Sequence, residues 1–153
     1  MIDLDRVDGV EVLPRLAPTE VLDVVLAEVD NPHQPQLATR LRAAGAVIVR
    51  TELSWIAASQ PYRVPGLSDA DALGLYYALT FGRALLAGDR KLRTAAASAG
   101  VEVHGSLWLV EEVHANGLVP PAELMRWLTE WPRLGRRLPA REVARIRSRL
   151  AGT

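Results

Sequence analysis

LSDADALGLYYALTFGRALLAGDRKLR, residues 67–93, is the stretch that decides the fold. Ser68 is a strong helix N-cap, and Asp71 three residues on is its capping-box partner. Acids in that first turn suit the positive end of the helix dipole. Ala72, Leu75 and Leu79 share a face, so one side of the helix can pack into a core. Gly82 ends the helix as a left-handed cap. The run Ala84-Leu85-Leu86-Ala87 is short, apolar and bounded by glycines, which predicts a buried parallel strand. Asp89 follows at its C-terminal end, the edge where open α/β sheets build their sites. Asp71 at its helix N-terminus can lie nearby, so the segment can bring two carboxylates together. Each acid also has a plainer reading, as a cap of its own helix.

Outward from this centre, strands and helices alternate. Val21–Val29 (VLDVVLAEV) reads as a strand turning into a helix, and residues 30–35 (DNPHQP) as a loop. Leu37–Ala44 is helical up to Gly45, and Ala46–Val49 is a second buried strand, rich in β-branched residues. Trp55–Ala58 makes a short helical turn before Pro61, Pro65 and Gly66. After Asp89 come a helix over Leu92–Ser98, a short strand at Val101 and Val103, and a helix over 106–115 closed by Gly117. Pro120-Pro121 opens a helix through Trp131 that Pro132 ends, and a last helix spans about Ala140 to Leu150. At the start, Ile2 and Leu4 alternate with acids like a short edge strand, and Pro14 interrupts a helical pattern over residues 10–16. Strands alternating with helices of this length imply βαβ units and a parallel sheet with right-handed crossovers. Residues 1–131 read as one domain, with 132–153 as its C-terminal helical extension.

The 153 residues suit a single hydrophobic core, and 49% hydrophobic with 24% charged residues is ordinary for a globular protein. Cysteine is absent, which removes disulfides, thiolate metal sites and cysteine nucleophiles together. The start, MIDLDRVDG, is acidic and lacks the apolar stretch of a signal peptide, and no apolar run approaches the roughly 20 residues of a membrane span. A cytoplasmic protein without a membrane segment is the expectation. Net charge is zero but uneven: residues 1–31 are six net negative and residues 119–153, rich in arginine, five net positive. That asymmetry suits a polyanion or an acidic partner, or equally a solvated helical face.

From about Ala17 to Val119 the chain resembles the PIN domain, most of all the VapC-type toxins and their PIN-like relatives. The resemblance rests on LSDADALGLYYA, LLAGDRKLRTAA and GVEVHGSLWLVEEVHANGLV in this order. It implies an α/β fold, a three-layer α/β/α sandwich around a central, mostly parallel sheet of Rossmann-like type. It implies metal-dependent cleavage of RNA by carboxylates gathered at one sheet edge. Carried over by position, the third acid is Asp71 and the fourth Asp89. The second is Glu28, in a V-x-x-E-V context. The first is Asp5, expected at the end of an N-terminal strand, although Arg6 stands where the family carries a small hydroxyl residue. Ala87 and Lys91 likewise stand where relatives carry a hydroxyl and an acid. The usual setting of such toxins is a homodimer blocked by a small antitoxin. A PIN-like module that has lost its first Asp, and binds RNA or a protein without turnover, is the alternative.

The chemistry explains the residue types. Hydrolysing a phosphodiester needs an activated water and relief of charge on the phosphate, and a hard cation supplies both. Mg²⁺ or Mn²⁺ takes oxygen ligands, so clustered Asp and Glu make the natural site. Arg90, Lys91 and Arg93 follow Asp89 and either hold the RNA backbone through its phosphates or face solvent. Glu28 has a plainer reading as a surface acid paired with Arg40. Trp127 and Trp131, four apart on one helix, read as core or dimer surface, and Tyr76, Tyr77 and Trp108 likewise. His33, His104 and His114 lack metal-ligand spacing.

Overall fold

The computed structural model describes residues 2–29 and 36–152, so the loop expected at 30–35 lies outside the described residues. In chain order the elements are α1 (Ile2–Asp5), α2 (Val12–Leu16), β1 (Glu20–Leu22), α3 (Asp23–Val29), α4 (Leu37–Ala43), β2 (Val47–Val49) and α5 (Leu53–Ala58). A 3-10 turn at Gln60–Tyr62 leads to α6 (Asp69–Phe81), β3 (Leu85–Leu86), α7 (Arg90–Ser98) and β4 (Val103–His104). The chain ends with α8 (Ser106–Ala115), α9 (Pro121–Arg133) and α10 (Ala140–Ala151).

The fold is α/β, with helices outweighing strands. Both strand pairs are parallel, and each is joined by a helical crossover, as parallel pairing requires. Val21 lies opposite Ile48 in the β1–β2 pair, and Leu86 opposite His104 in β3–β4. Among the described residues these are two separate two-stranded sheets rather than one continuous central sheet. Strands of two or three residues make few ladder bonds, and helices supply most of the core. That core is built around α8 and α9, where Leu109, Val110, Leu124, Trp127, Leu128 and Trp131 are fully buried. Leu4, Val7, Val21, Leu41 and Ile146 bring α1, β1, α4 and α10 onto it. A second apolar cluster of Leu75, Ala78, Ala87, Leu92, Ala96 and Val101 joins α6 and α7 to β3 and β4.

The helix predicted from Ser68 forms with both halves of its capping box, and Gly82 closes it in the left-handed conformation at φ 62°. Four expectations are corrected. Residues 2–5 are helical rather than an edge strand. Leu4, Val7 and Val10, each three apart, all turn inward, and Gly9 N–H closes a turn on the Leu4 carbonyl at 2.8 Å. Leu79 does not share the buried face of Leu75 but is exposed, because the inward row of α6 runs through Ala72, Leu75 and Ala78. The β2 strand is not buried: Val47 is 59% exposed at the sheet margin. Pro132 does not stop α9, which continues one residue to Arg133. Trp127 and Trp131 are core, packed at 6.0 Å between ring centroids. No helix among the described residues is long and apolar enough to cross a membrane.

Candidate active site

Two of the four sequence-predicted acids meet on one serine. Glu28 stands near the end of α3 and Asp71 in the first turn of α6, and α3 packs against α6. The Ser68 hydroxyl donates to Glu28 Oε2 at 3.2 Å and accepts from the Asp71 N–H at 3.1 Å. Asp71 Oδ2 in turn accepts from the Ser68 N–H at 3.0 Å. The capping box that starts α6 is therefore also the joint between two carboxylates. Glu28 has no share in Arg40, the partner that a plain surface role had suggested.

Asp89 is the N-cap of α7, its Oδ1 accepting from the Leu92 N–H at 2.9 Å. α7 packs against α6, and the start of α7 reaches the approach to α6 through Lys91. Gly66, two residues before Ser68, sits at φ +91°, a left-handed backbone that favours glycine, and the Lys91 side chain lies over its open side. Arg90 and Lys91 are exposed. Arg93 is half-buried and folds back, donating to the carbonyls of Gly88 at 3.1 Å and Ala87 at 3.4 Å.

Asp5 lies on α1, apart from these. Its Oδ1 is 2.7 Å from Arg40 Nη1, and Arg40 Nε donates to Glu11 at 2.6 Å. The Arg40 guanidinium holds the Glu11 carboxyl below its ordinary value, against a burial effect that pushes it up.

Sequence reasoning passed over Asp23. It directly follows β1, and its Oδ1 accepts from Thr51 Oγ1 at 2.6 Å, Thr51 N–H at 3.0 Å and Val24 N–H at 2.8 Å. These bonds, the Thr51 hydroxyl foremost, depress its pKa and tie the C-terminal ends of β1 and β2 together. The signal was available in the hydrophobic-hydrophobic-Asp order of Val21-Leu22-Asp23.

A family model described as a PIN domain matches residues 1–152. This chain belongs to the PIN-domain family. No curated protein and no solved structure matches it. PIN domains have a nuclease-type fold and generally use divalent metal ions. In this PIN domain the fit to such an ion is partial. Among the described residues no group of three or more His, Asp or Glu gathers closely enough to hold a metal. The Glu28–Ser68–Asp71 joint brings two carboxylates onto one serine, short of a three-acid set.

Proposed function

We propose that the chain is a metal-dependent endoribonuclease of PIN type, the toxin of a toxin–antitoxin pair, hydrolysing RNA phosphodiesters with Mg²⁺ or Mn²⁺. The observation that carries this reading is the joining of Glu28 and Asp71 on Ser68. Asp71 and Glu28 are the proposed direct ligands, and Asp89, which does not form a three-acid group with them, is proposed to act from the start of α7. Asp5 is proposed as a lesser contributor, because its Oδ1 is committed to Arg40. When bound, the cation supplies a water of lowered pKa and relieves charge on the phosphate. The residues of the chain do the rest. Ser68 holds Glu28 and Asp71 in register, and the α6 cap keeps Asp71 fixed. Arg90 and Lys91 stand exposed past Asp89, where phosphate contacts give affinity independent of sequence. A homodimer, an antitoxin over the acidic groove and a cytoplasmic location belong to the same proposal.

A second reading has its own support. The Asp5–Arg40 pair and the lack of a three-acid cluster among the described residues favour a module that binds RNA or a protein partner without turnover.

The deciding test is cleavage of a generic single-stranded RNA by the purified chain with Mn²⁺, with EDTA, and by Asp89→Asn with Mn²⁺. Asn is as good an N-cap as Asp, so the variant keeps its fold. Cleavage that requires both the metal and Asp89 supports the ribonuclease. A folded protein that neither cleaves RNA nor binds Mn²⁺ measurably supports the binding module instead.

A further inference from the structure

Two arginines from different parts of the chain converge on one carbonyl oxygen. Gly88, the residue before Asp89, accepts from Arg93 Nη1 at 3.1 Å and also from Arg136 Nη2. Arg93 lies in the first turn of α7, whereas Arg136 lies 48 residues beyond Gly88, in the connection between α9 and α10. Two glycines make room for the guanidiniums. A Cβ at Gly88 would stand 2.9 Å from Arg136 Nη2, and one at Gly105 would stand 3.1 Å from Arg93 Nη1. Neither glycine has a positive φ, and the guanidinium ends of Arg136 and Arg93 lie over their open sides. The turn that carries Arg136 is itself fixed. Arg136 N–H donates to the carbonyl of fully buried Trp131 at 2.9 Å, and Arg6 Nη1 donates to the Leu134 carbonyl at 3.2 Å.

We infer that Arg136, assisted by Arg93, is a positioning residue for Asp89. The Gly88 carbonyl and the Asp89 N–H share one rigid peptide plane. Fixing that carbonyl fixes the plane up to the Asp89 Cα, so that only rotation within Asp89 itself, held by its N-cap bond, sets where the side chain goes. On the other side Asp89 Oδ1 is tied to the Leu92 N–H. The carboxylate is thus located from both directions, by guanidinium bonds on the backbone side, which charge strengthens, and by the Leu92 N–H on the other. An ammonium offers a point charge without the planar fork, so lysine replaces this contact only in part. The arginine-rich segment after α9 then serves the site directly through one residue.

The catalytic consequence rests on the ribonuclease reading; the mechanical one does not. Amide hydrogen exchange and RNA cleavage on the full chain, compared for Arg136→Ala, Arg136→Lys and the exposed neighbour Arg137→Ala, separate the two. Arg136→Ala is expected to speed exchange over residues 85–92 by about tenfold while α10 stays protected. It lowers kcat by about tenfold or more with KM nearly unchanged, since small misplacements are costly at a reacting centre. Arg136→Lys falls between wild type and Arg136→Ala, and Arg137→Ala matches wild type. Unchanged exchange over 85–92 overturns the inference, and so does loosening spread equally over α10 in both Arg136 variants. A rise in KM at constant kcat overturns it too, because Arg136 would then be touching RNA. If wild type does not cleave RNA, the ribonuclease reading fails, and exchange alone decides the clamp.

Discussion

Asp5 Oδ1 and Arg40 Nη1 stand 2.7 Å apart, and this pair joins α1 to α4. Asp5 is only 12% exposed, so neither the small value of a surface pair nor the large value of a fully buried one applies. Arg40→Met should cost about 1–2 kcal/mol, read as a lower urea midpoint at unchanged slope. Asp5→Asn should cost less, since a carboxamide oxygen still accepts from Arg40, and most RNA cleavage should survive. Complete loss of cleavage in a stable Asp5→Asn protein would move Asp5 to the centre of the site.

Asp71 serves two ends that substitution can separate. Asp71→Asn keeps an oxygen for the Ser68 N–H and is expected to cost less than 1 kcal/mol, about what a cap residue contributes. Cleavage, which needs the charge, should fall by about a hundredfold. Ser68→Ala reverses the balance. It loses the cap, at ~1 kcal/mol, and frees Glu28, lowering cleavage by about tenfold to a hundredfold as loss of an outer-shell partner does. Equal cleavage by Ser68→Ala and wild type would remove the joint from the mechanism.

What was legible in the sequence is what short-range physics controls. Ser68, Gly82 and Gly45 declare helix ends through their own backbone preferences, and the strand-to-helix change at Leu22–Asp23 follows from composition. Glu28 became a site candidate only through the family resemblance, because its partner Ser68 is 40 residues away. The Arg136 contact, 48 residues from Gly88, left no local trace except a glycine with an ordinary φ. The partners of the basic C-terminus are equally distant in sequence. Arg145 and Arg149 reach back to Glu111 on α8, while Arg133 pairs locally with Glu130. Ile2 and Leu4 show the limit of pattern over a few residues, since apolar side chains two apart fit a strand until Val7 and Val10 reveal a spacing of three.

Acid should weaken the fold through Asp23. Its pKa is depressed mainly by the Thr51 hydroxyl, and that of Glu20 by the Arg83 guanidinium. A lowered folded pKa means that the unfolded chain binds more protons over that range, so stability rises with pH there. The contribution is complete above the ordinary carboxylate range of about pH 4–5 and is lost as pH falls through the lower folded values. Urea midpoints should be level from pH 7 to about 5 and drop below about 4. Thr51→Val should shrink the drop. A midpoint that climbs on acidification would contradict the assignment.

The three basic residues after Asp89 should behave differently from one another. Arg90 and Lys91 are exposed, whereas Arg93 is turned onto the Ala87 and Gly88 carbonyls. If RNA phosphates are held at the start of α7, each exposed cation released with its counterion contributes about one unit to the slope of log affinity against log salt, somewhat less for single strands. Arg90→Ala and Lys91→Ala should each flatten that slope by ~0.7 and leave the melting temperature near wild type. Arg93→Ala should instead lower the melting temperature, because it strips a charge-assisted bond from the Asp89 turn. Filter binding of a fluorescent single-stranded RNA between 50 and 200 mM salt, a range chosen because phosphate contacts respond strongly across it, gives the slopes. Identical slopes in all three variants and wild type would place the RNA backbone elsewhere on the surface.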